Sequence, residues 1–308
     1  MLGSVKCRLL DELPYYPMRG EGERLRLEWK KSGLLPPPLE STGGEGPEVH
    51  MYCGKDHMDM GIWASWSLLR FLPGGTLFIH SDGSLEEEHL KAWRRIIPNT
   101  TLITREESDL KAAQVLGDQF PLLLEWKRRQ CYSTKFIDFH LHGTRDRIIS
   151  LDSDVLCYHR PTELIEALAT TEPLMRWHSD VTTSYIAPAY LLGKYVGAEI
   201  SDRVNSGLLL ARRWSLDDLK FFQTILGKLQ DASLPIFHHW GEQSLYAISA
   251  VRHQDAKALS NKYSVYFGKT RPDSTIRHYV GVVKVRPRFF VEGIPMLLNQ
   301  IDKTADLA

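Results

Sequence analysis

The sequence predicts an α/β protein with a mixed, mostly parallel sheet flanked by helices. Short apolar runs alternate with longer helix-favouring stretches along most of the chain, a pattern typical of β-α-β units. Glycine and proline separate these segments, as at Pro73-Gly-Gly75. The apolar run 147–151 ends directly before two aspartates, at the carboxyl end of a predicted strand, where open α/β sheets bind ligands.

Length and composition are those of an ordinary globular protein. The chain has 308 residues, of which 43% are hydrophobic and 25% charged, which is enough to bury a substantial core. Its formal net charge is zero, which argues against nucleic acid as a partner. No uninterrupted apolar stretch approaches the length of a membrane span, so we expect none.

The cysteines indicate a reducing compartment. They lie far apart, at Cys7, Cys53, Cys131 and Cys157. No pair has C-x-x-C spacing, which excludes a zinc finger and a small disulfide scaffold. The N-terminus reaches Asp11-Glu12 after a few apolar residues, so we expect no signal peptide. The prediction is a cytoplasmic protein.

The first half of the chain predicts an extension followed by alternating elements. Residues 1–47 are rich in charge, glycine and proline, and we interpret them as an N-terminal extension. A single domain then spans residues 48–308. We expect strands at 49–53, 76–80 and 101–104, and helices at 62–72, 85–97, 108–129 and 134–142.

The second half continues the same pattern after the strand that ends at Asp152. Ser215 followed by Asp217 and Asp218 has the form of a helix N-cap with acids in the first turn. Further helices are expected at 161–168, 240–252 and 288–301, and strands at 204–211, 263–267 and 276–279. No internal repeat is evident.

Asp152 and Asp154 are the first candidates for chemistry. Residues two apart on an extended segment point to the same side, so both carboxylates would enter one small volume. Such a pair repels unless a cation lies between the two groups or one is protonated. Hard oxygen ligands suit Mg²⁺ or Mn²⁺. The alternative is a turn with two solvated acids.

The segment 277–284 supplies complementary groups. His278 is a candidate third metal ligand, and imidazole beside carboxylates favours Mn²⁺. Gly281 allows close backbone approach, and Lys284 is a candidate for neutralising a diphosphate. Lys135, ahead of the Asp strand, could also reach a phosphate. For 277–284 the alternative is a strand edge with a surface lysine and an ordinary histidine, and for Lys135 it is a lysine on a solvated face.

Polar residues later in the chain are candidates for sugar recognition. The triplet Asn205-Ser206-Gly207 interrupts an apolar strand. Polar side chains there need hydrogen-bond partners once they are buried, and a sugar provides such partners. Glu242 and Gln243 begin a predicted helix and could stabilise positive charge at an anomeric carbon. The alternatives are a β-bulge with a satisfied asparagine and acids placed for the helix dipole.

Two further places are weaker candidates. Asp180 and Tyr185 follow an apolar stretch and could line a donor or acceptor pocket. Cys53 and Gly54 follow the first strand, where a base or ribose could lie against the backbone.

The order of these motifs resembles the GT-A glycosyltransferases, especially glycogenin and its family 8 relatives. The matching elements are a first strand and loop at 49–54, Thr134-Lys135, the D-x-D of Asp152-Ser153-Asp154, Asn205-Ser206-Gly207, Glu242-Gln243, and H-x-x-G-x-x-K at His278, Gly281 and Lys284. The chain differs from the family in having Val285-Arg286 after the lysine, where Pro-Trp is usual, and Glu242-Gln-Ser244 for Asp-Gln-Asp.

The resemblance implies a GT-A fold, Rossmann-like, over about residues 48–284. It implies transfer from a nucleotide sugar, a UDP-sugar, to a glycan, protein or small-molecule acceptor with retention of configuration. Mn²⁺ or Mg²⁺ would bridge the diphosphate to Asp152, Asp154 and His278. The candidate catalytic residues are Glu242, Gln243 and Asp180. The candidate donor-binding residues are Cys53, Gly54, Lys135, Asp152, Ser153, Asn205, Gly207, Gly281 and Lys284.

Three other interpretations stay open from the sequence. A protein that binds nucleotide sugars without turnover would carry the same motifs. A haloacid-dehalogenase phosphatase also places D-x-D-x-[TV] after a strand, but it needs a later acidic pair at a strand end, and Asp217-Asp218 lie at a predicted helix start. A GT-A nucleotidyltransferase would have a glycine-rich basic loop after the first strand, where only Gly54-Lys55 is present.

Overall fold

The structure is a computed structural model that describes residues 13–40, 45–172, 174–282 and 284–305. The strands within these ranges are β1 Glu48–Cys53, β2 Thr76–Ser81, β3 Thr100–Ile103, β4 Arg147–Leu151, β5 Val155–Cys157, β6 Leu174–Ser179, β7 Val204–Arg212, β8 Asp255–Ala258 and β9 Ile276–His278.

The α-helices in the same ranges are α1 Tyr16–Ser32, α2 Met58–Leu69, α3 Glu87–Ile96, α4 Arg105–Leu116, α5 Pro121–Arg129, α6 Ser133–Phe136, α7 Asp138–His142, α8 Thr162–Ala169, α9 Ala189–Val196, α10 Leu216–Asp231, α11 Gly241–Ser249 and α12 Ile294–Ala305. Thr104 caps α4 and Ser215 caps α10, each through a capping box. A single π-helical turn, Phe289–Gly293, leads into α12. None of the described helices combines the length and apolarity needed to cross a membrane.

Seven strands form one mixed sheet in the order β3-β2-β1-β4-β7-β6-β8. Strands β3, β2, β1 and β4 are mutually parallel, whereas β7 runs antiparallel to both β4 and β6. The predicted α/β class with a mostly parallel sheet is therefore confirmed. A separate two-stranded ladder pairs β5 with β9 and places Val155 opposite His278.

Helices cover both faces of the large sheet, and an apolar core lies on each face. Along β7, Leu208 and Leu210 enter one core, while Leu209 and Ala211 enter the other. This alternation follows from the two-residue period of a strand. A strand buried on both faces is continuously apolar, which is the pattern of residues 207–211.

The region N-terminal to the sheet contributes to one of these cores. Helix α1 ends at Gly33, whose φ of 67° suits glycine. Leu25 and Trp29 of α1 pack against the core, and the ring of Trp29 lies 6.1 Å from that of Phe290. Residues 16–32 thus form a helix that is docked on the domain.

Several sequence predictions need correction. No strand occupies 263–267; Asn261–Tyr263 form a 3₁₀ turn that buries Tyr263, whereas Phe267 at the end of the run is 53% exposed. The single helix expected over 108–129 is two helices, α4 and α5. The first ends before Gly117, and the second ends at Arg129. Strands β5, β6 and β8 were not predicted.

Candidate functional site

A cavity of about 460 Å³ opens beyond the carboxyl ends of β1 and β4 and gathers most of the predicted site residues. Its walls are formed by Tyr52, Cys53, Gly54, His57, Asp82, Tyr132, Lys135, Asp152, Ser153, Asp154, Ser206, His239, Trp240, Glu242, Gln243, His278, Val280, Gly281 and Arg286. This is the ligand position expected for an open α/β sheet. We call this space the site cavity. A larger cavity, of about 670 Å³, involves none of the predicted residues.

The two aspartates lie in the turn between β4 and β5. The backbone N–H of Asp152 donates to the carbonyl of Gly207 at 2.8 Å, which ties the end of β4 to β7. The N–H of Tyr279 donates to the carbonyl of Asp154 at 2.8 Å, so the β5–β9 ladder brings His278 beside the pair. One ligand atom from each of Asp152, Asp154 and His278 lies within 4.8 Å of the others.

Asp154 is the more deeply buried carboxylate, with 4% exposure. Its Oδ1 lies 3.1 Å from His278 Nε2, and its Oδ2 lies 2.5 Å from Arg286 Nη2. Burial alone would raise the pKa of Asp154, but the charges of Arg286 and His278 hold it well below its ordinary value. Burial opposes the charge on His278, yet Asp154 raises its pKa. The arrangement therefore stabilises the negative charge of Asp154 through two cationic side chains, Arg286 and His278.

Asn205 fixes the orientation of His278. Its Oδ1 accepts hydrogen bonds from His278 Nδ1 at 2.9 Å and from the Gly207 N–H at 2.9 Å. Because Nδ1 then carries the proton, Nε2 is the nitrogen that faces the aspartates as a candidate ligand. The Asn205 amide donates to Asp180 Oδ2 at 2.8 Å. A methyl group at Gly207 would overlap the imidazole of His278, so the strand needs glycine there.

Lys135 is a buried cation between two acids. Its Nζ lies 2.8 Å from Asp152 Oδ1 and 3.6 Å from Glu242 Oε1, and it donates to Ser206 Oγ at 3.1 Å. Burial would lower the pKa of this lysine, but Asp152 and Glu242 raise it above its ordinary value. Lys135 is therefore charged, and it carries positive charge to the cavity wall beside Asp152.

Glu242 and Gln243, at the start of α11, lie on the same wall. Glu242 Oε2 accepts a hydrogen bond from Ser206 at 3.0 Å, while its buried Oε1 has no hydrogen-bond partner in the structure. Burial raises the pKa of Glu242, with Lys135 opposing the shift. Gln243 Nε2 donates to the carbonyl of Ser184 at 3.2 Å. An acceptor oxygen without a partner is one that a ligand can satisfy.

Five predicted residues are not among those that line the site cavity: Asn205 and Gly207, described above, and Asp180, Tyr185 and Lys284. Asp180 accepts from Asn205 and, through Oδ1, from the Val181 N–H at 2.7 Å. The Tyr185 hydroxyl donates to the Ser201 carbonyl and accepts from the Val204 N–H, both at 2.8 Å, which uses it for local structure. Lys284 Nζ lies 5.5 Å from the ring centroid of Tyr15.

The residues after β1 line the opposite side. Cys53 is 3% exposed, and its thiol donates to the Gly54 carbonyl at 3.4 Å. A methyl group at Gly54 would overlap the Asp82 carboxylate, so this acid approaches the backbone closely. At the other rim, a Cβ on Gly281 would lie 3.1 Å from Arg286 Nη2.

Sequence reasoning missed several members of the cavity wall. Arg286 is the most consequential, since it contacts Asp154; its signal was its place two residues after the H-x-x-G-x-x-K motif. Ser206, inside the Asn-x-Gly motif, bridges Lys135 and Glu242. The remaining wall residues were not singled out from the sequence: Tyr52, His57, Asp82, Tyr132, His239, Trp240 and Val280.

The acidic pair required by a phosphatase is not placed for that chemistry. Asp217 and Asp218 lie in the first turn of α10. Asp218 caps this helix and forms ion pairs with Arg212 at 2.8 Å and Arg252 at 3.1 Å. These contacts give Asp218 a structural role.

Comparison with solved structures identifies similar folds at low sequence identity. WbbM, a bifunctional glycosyltransferase in its apo form, gives a TM-score of 0.51 at 12% identity, covering 84% of this chain and 51% of that one. Mouse xyloside xylosyltransferase 1, also apo, gives 0.49 at 15% identity over 75% and 97% of the two chains. The galactosyltransferase LgtC, with donor and acceptor sugar analogues, gives 0.48 at 13% identity over 80% and 94%.

This chain spans about half the length of WbbM. No protein-family model matches the sequence, and no curated protein matches it either. The similarity to WbbM, together with the seven-stranded mixed sheet, establishes the architecture. The chain has the GT-A glycosyltransferase fold that its sequence motifs predict.

Proposed function

We propose that this protein is a metal-dependent glycosyltransferase that moves a sugar from a nucleoside-diphosphate sugar to an acceptor. The observation that carries the proposal is the group of Asp152, Asp154 and His278, whose ligand atoms lie within 4.8 Å of one another on the wall of the site cavity. A divalent cation held there would lie where a GT-A fold binds its donor. We further propose that the nucleotide is UDP and that the configuration at the anomeric carbon is retained. Both parts of the proposal rest on the resemblance of the motifs.

The residues present fit a divalent ion. Two carboxylates and one imidazole form a donor set that suits Mn²⁺ or Mg²⁺. The buried Asp154 is already matched by cationic groups on both oxygens, which indicates that the position needs positive charge. Asn205 holds His278 with Nε2 toward the acids, the orientation of a ligating imidazole.

The diphosphate is the part of the donor that the charged residues would bind. The metal, when bound, would neutralise the charge that develops on the nucleoside diphosphate as it leaves. Lys135 contributes a buried positive charge 2.8 Å from Asp152, and buried charges act strongly because water screens them poorly. We propose that Ser153, Gly281 and Lys284 complete the phosphate contacts.

The sugar would lie toward α11. Glu242 Oε1, which lies buried 3.6 Å from Lys135 Nζ and accepts no hydrogen bond from the described residues, would accept one from a sugar hydroxyl. Gln243, on the same wall, would donate or accept beside it, and the two together would stabilise positive charge at the anomeric carbon. We propose Asp180 as a positioning residue that acts through Asn205, because its Oδ2 holds the Asn205 amide. Gly207 gives His278 the space it occupies.

The nucleoside would lie at the end of β1. Cys53 and Gly54 line the site cavity there, and the Asp82 carboxylate that packs against Gly54 would lie beside the nucleoside. The acceptor is a glycan, a protein or a small molecule that enters beside the donor. Cys53, Cys131 and Cys157 are free thiols in the described part of the chain, which suits the proposed cytoplasmic setting.

A thermal-shift panel of nucleotide sugars with and without Mn²⁺ tests the proposal. A ligand at a hundred times its dissociation constant stabilises the native state by about 2.7 kcal/mol. We expect a UDP-sugar to raise the melting temperature only when Mn²⁺ is present. No metal-dependent response to any UDP-, GDP- or TDP-sugar would contradict the proposal.

A matched pair of variants sharpens this experiment. Asp154→Asn keeps the shape of the side chain but removes its charge, so we expect the response to disappear. Asp217→Asn makes the same change at a side chain that is 77% exposed, and it should keep the response. Chromatographic detection of released UDP then separates an enzyme from a protein that binds the donor without turnover.

A further inference from the structure

Arg286 reaches the candidate metal position from outside the recognised motifs. It follows β9, and its Nε donates to the Tyr279 carbonyl at 2.9 Å. Its Nη2 lies 2.5 Å from Asp154 Oδ2. The side chain is 32% exposed and borders the site cavity. One end of the guanidinium is thus held by the backbone, while the other end faces a carboxylate and open space.

Arg286 contacts one oxygen, Oδ2, of a carboxylate that is a candidate metal ligand. The other oxygen of Asp154 faces His278 Nε2 at 3.1 Å, so both oxygens have cationic neighbours. A carboxylate that is only 4% exposed cannot lose its counter-charge without a large desolvation cost. A divalent ion arriving at Asp154 therefore competes with the guanidinium for one carboxylate oxygen.

If a metal ion displaced the Arg286 guanidinium from Asp154, the diphosphate of a bound donor would give that guanidinium a new anionic partner. Its planar fork of N–H groups binds phosphate oxygens in pairs. Two contacts keep the aliphatic part of Arg286 near the cavity. One is the hydrogen bond from Nε to the backbone. The other is the packing of α1 against the next residue, since a methyl group at Gly22 would lie only 3.1 Å from Pro287. A short rotation of the head would thus exchange Asp154 for a diphosphate.

We propose that Arg286 is a positioning residue that neutralises Asp154 in the free protein and transfers to the donor diphosphate when the metal binds. This proposal rests on the proposed function. It predicts that metal and nucleotide bind cooperatively: without nucleotide the ion must displace Arg286 at a cost, and with nucleotide the displaced guanidinium gains a new anion. By linkage, Mn²⁺ and UDP must strengthen each other by the same factor.

The test measures Mn²⁺ binding to the full chain by electron paramagnetic resonance of free Mn²⁺, with and without UDP. In the wild type we expect UDP to tighten Mn²⁺ binding by at least about fivefold, the lower end of typical couplings. Arg286→Gln removes the competing cation and the phosphate contact together. It should therefore bind Mn²⁺ more tightly than the wild type without UDP, and should lose most of the strengthening by UDP.

Two further variants separate this role from general damage. Arg286→Lys keeps a cation that competes for Asp154 but loses the paired N–H groups of the guanidinium. Without UDP it should therefore bind Mn²⁺ as weakly as the wild type, and UDP should strengthen Mn²⁺ binding only in part. Arg288→Gln is the control, because that guanidinium pairs with Glu292; its Mn²⁺ and UDP affinities should equal those of the wild type.

The outcomes are distinguishable from failure of the proposed function. If the wild type binds Mn²⁺ and UDP cooperatively but Arg286→Gln binds nucleotide-free Mn²⁺ equally or less tightly, the role of Arg286 is wrong while the proposed function stands. If the wild type binds neither Mn²⁺ nor UDP, the proposed function fails and the role of Arg286 fails with it.

Discussion

Buried histidines in two parts of the molecule show how burial and charge together decide the role of an imidazole. We define the core histidine cluster as His50, His80, His140 and His142. In this cluster His50 and His80 are fully buried and share a hydrogen bond of 3.0 Å between Nδ1 and Nε2. Burial lowers the pKa of both, so they are neutral at pH 7.

His278 is almost as buried, at 5% exposure, but its neighbours are charged. Asp154 lies 3.1 Å from Nε2 and raises the pKa of His278 against the effect of burial. His80 instead packs 4.7 Å from the ring of Phe139. His50 also has a carboxylate nearby, Glu48 Oε2 at 3.6 Å, yet the pKa of His50 is lowered because burial outweighs that charge. Neither burial nor a nearby carboxylate alone therefore distinguishes a structural histidine from a candidate ligand. His278 differs in that its pKa is raised and in that it lines the site cavity.

Removing one histidine from each group tests this distinction with the largest expected effect. His278→Ala should weaken Mn²⁺-dependent binding of a UDP-sugar by at least about 100-fold, because loss of groups that merely support ligands already costs 10–100-fold. His80→Leu should leave this binding unchanged, while it lowers the free energy of unfolding by about 1–3 kcal/mol because His50 loses its partner. Calorimetric titration and urea unfolding measure the two quantities.

The reverse pattern would contradict the comparison. If His80→Leu weakened donor binding as strongly as His278→Ala, the core histidine cluster would belong to the functional site. Equal unfolding free energies for the wild type and His278→Ala at a pH above the folded pKa of His278, where its charge no longer stabilises the fold, would further support a role for His278 in binding and not in folding.

A glycine beside His278 provides a smaller and more local perturbation. A methyl group at Gly207 would overlap the imidazole, so Gly207→Ala should displace His278 and reduce Mn²⁺ affinity by about 10–100-fold. Gly227→Ala is the matched control, since its added Cβ lies in ordinary contact, 3.5 Å from Leu122. In the interior of α10 it should raise stability by about 0.5–1 kcal/mol. Wild-type Mn²⁺ affinity in Gly207→Ala would show that His278 is not a ligand.

Much of this site could be predicted because its parts follow strands. The runs that became β1, β2, β4 and β7 each contain a core of apolar residues with a few polar residues among them, which favours strands of a covered sheet. Asp152 and Asp154 follow directly from the end of one such strand. The resemblance of the motifs to GT-A enzymes then brought His278, which is 124 residues farther along the sequence than Asp154, into the same hypothesis.

What the sequence could not provide depends on pairing across the chain. Strand β5 has only three residues, too few for a periodicity signal, whereas its partner β9, Ile276–His278, was predicted. Strand β8, Asp255–Ala258, is a polar edge strand. Strand β6 was missed because Arg176 interrupts its apolar run; in the fold this charge pairs with Asp255 on the neighbouring strand. The contact between Arg286 and Asp154 arises only after the β5–β9 ladder has formed, so no local pattern reveals it.

The two groups of histidines also predict opposite responses of stability to pH. In the core histidine cluster the folded pKa lies below the unfolded value of about 6.5. Its contribution to stability is present above pH 6.5 and is lost as the pH falls toward the folded pKa, which is about 4 for His142. His278 has a raised folded pKa, so its contribution is present below pH 6.5 and is lost as the pH rises through the folded pKa.

Unfolding free energies measured in EDTA from pH 4 to pH 9 test this sign, with the smallest effect of the three. One titrating group changes the slope by at most about 1.4 kcal/mol per pH unit. His80→Leu should flatten the loss of stability below pH 6.5, because one fewer imidazole must be protonated on unfolding. His278→Ala should instead flatten the curve above pH 6.5. If both variants changed the same limb, the two groups of histidines would share one electrostatic environment, and the distinction between a neutral core and a charged site would fail.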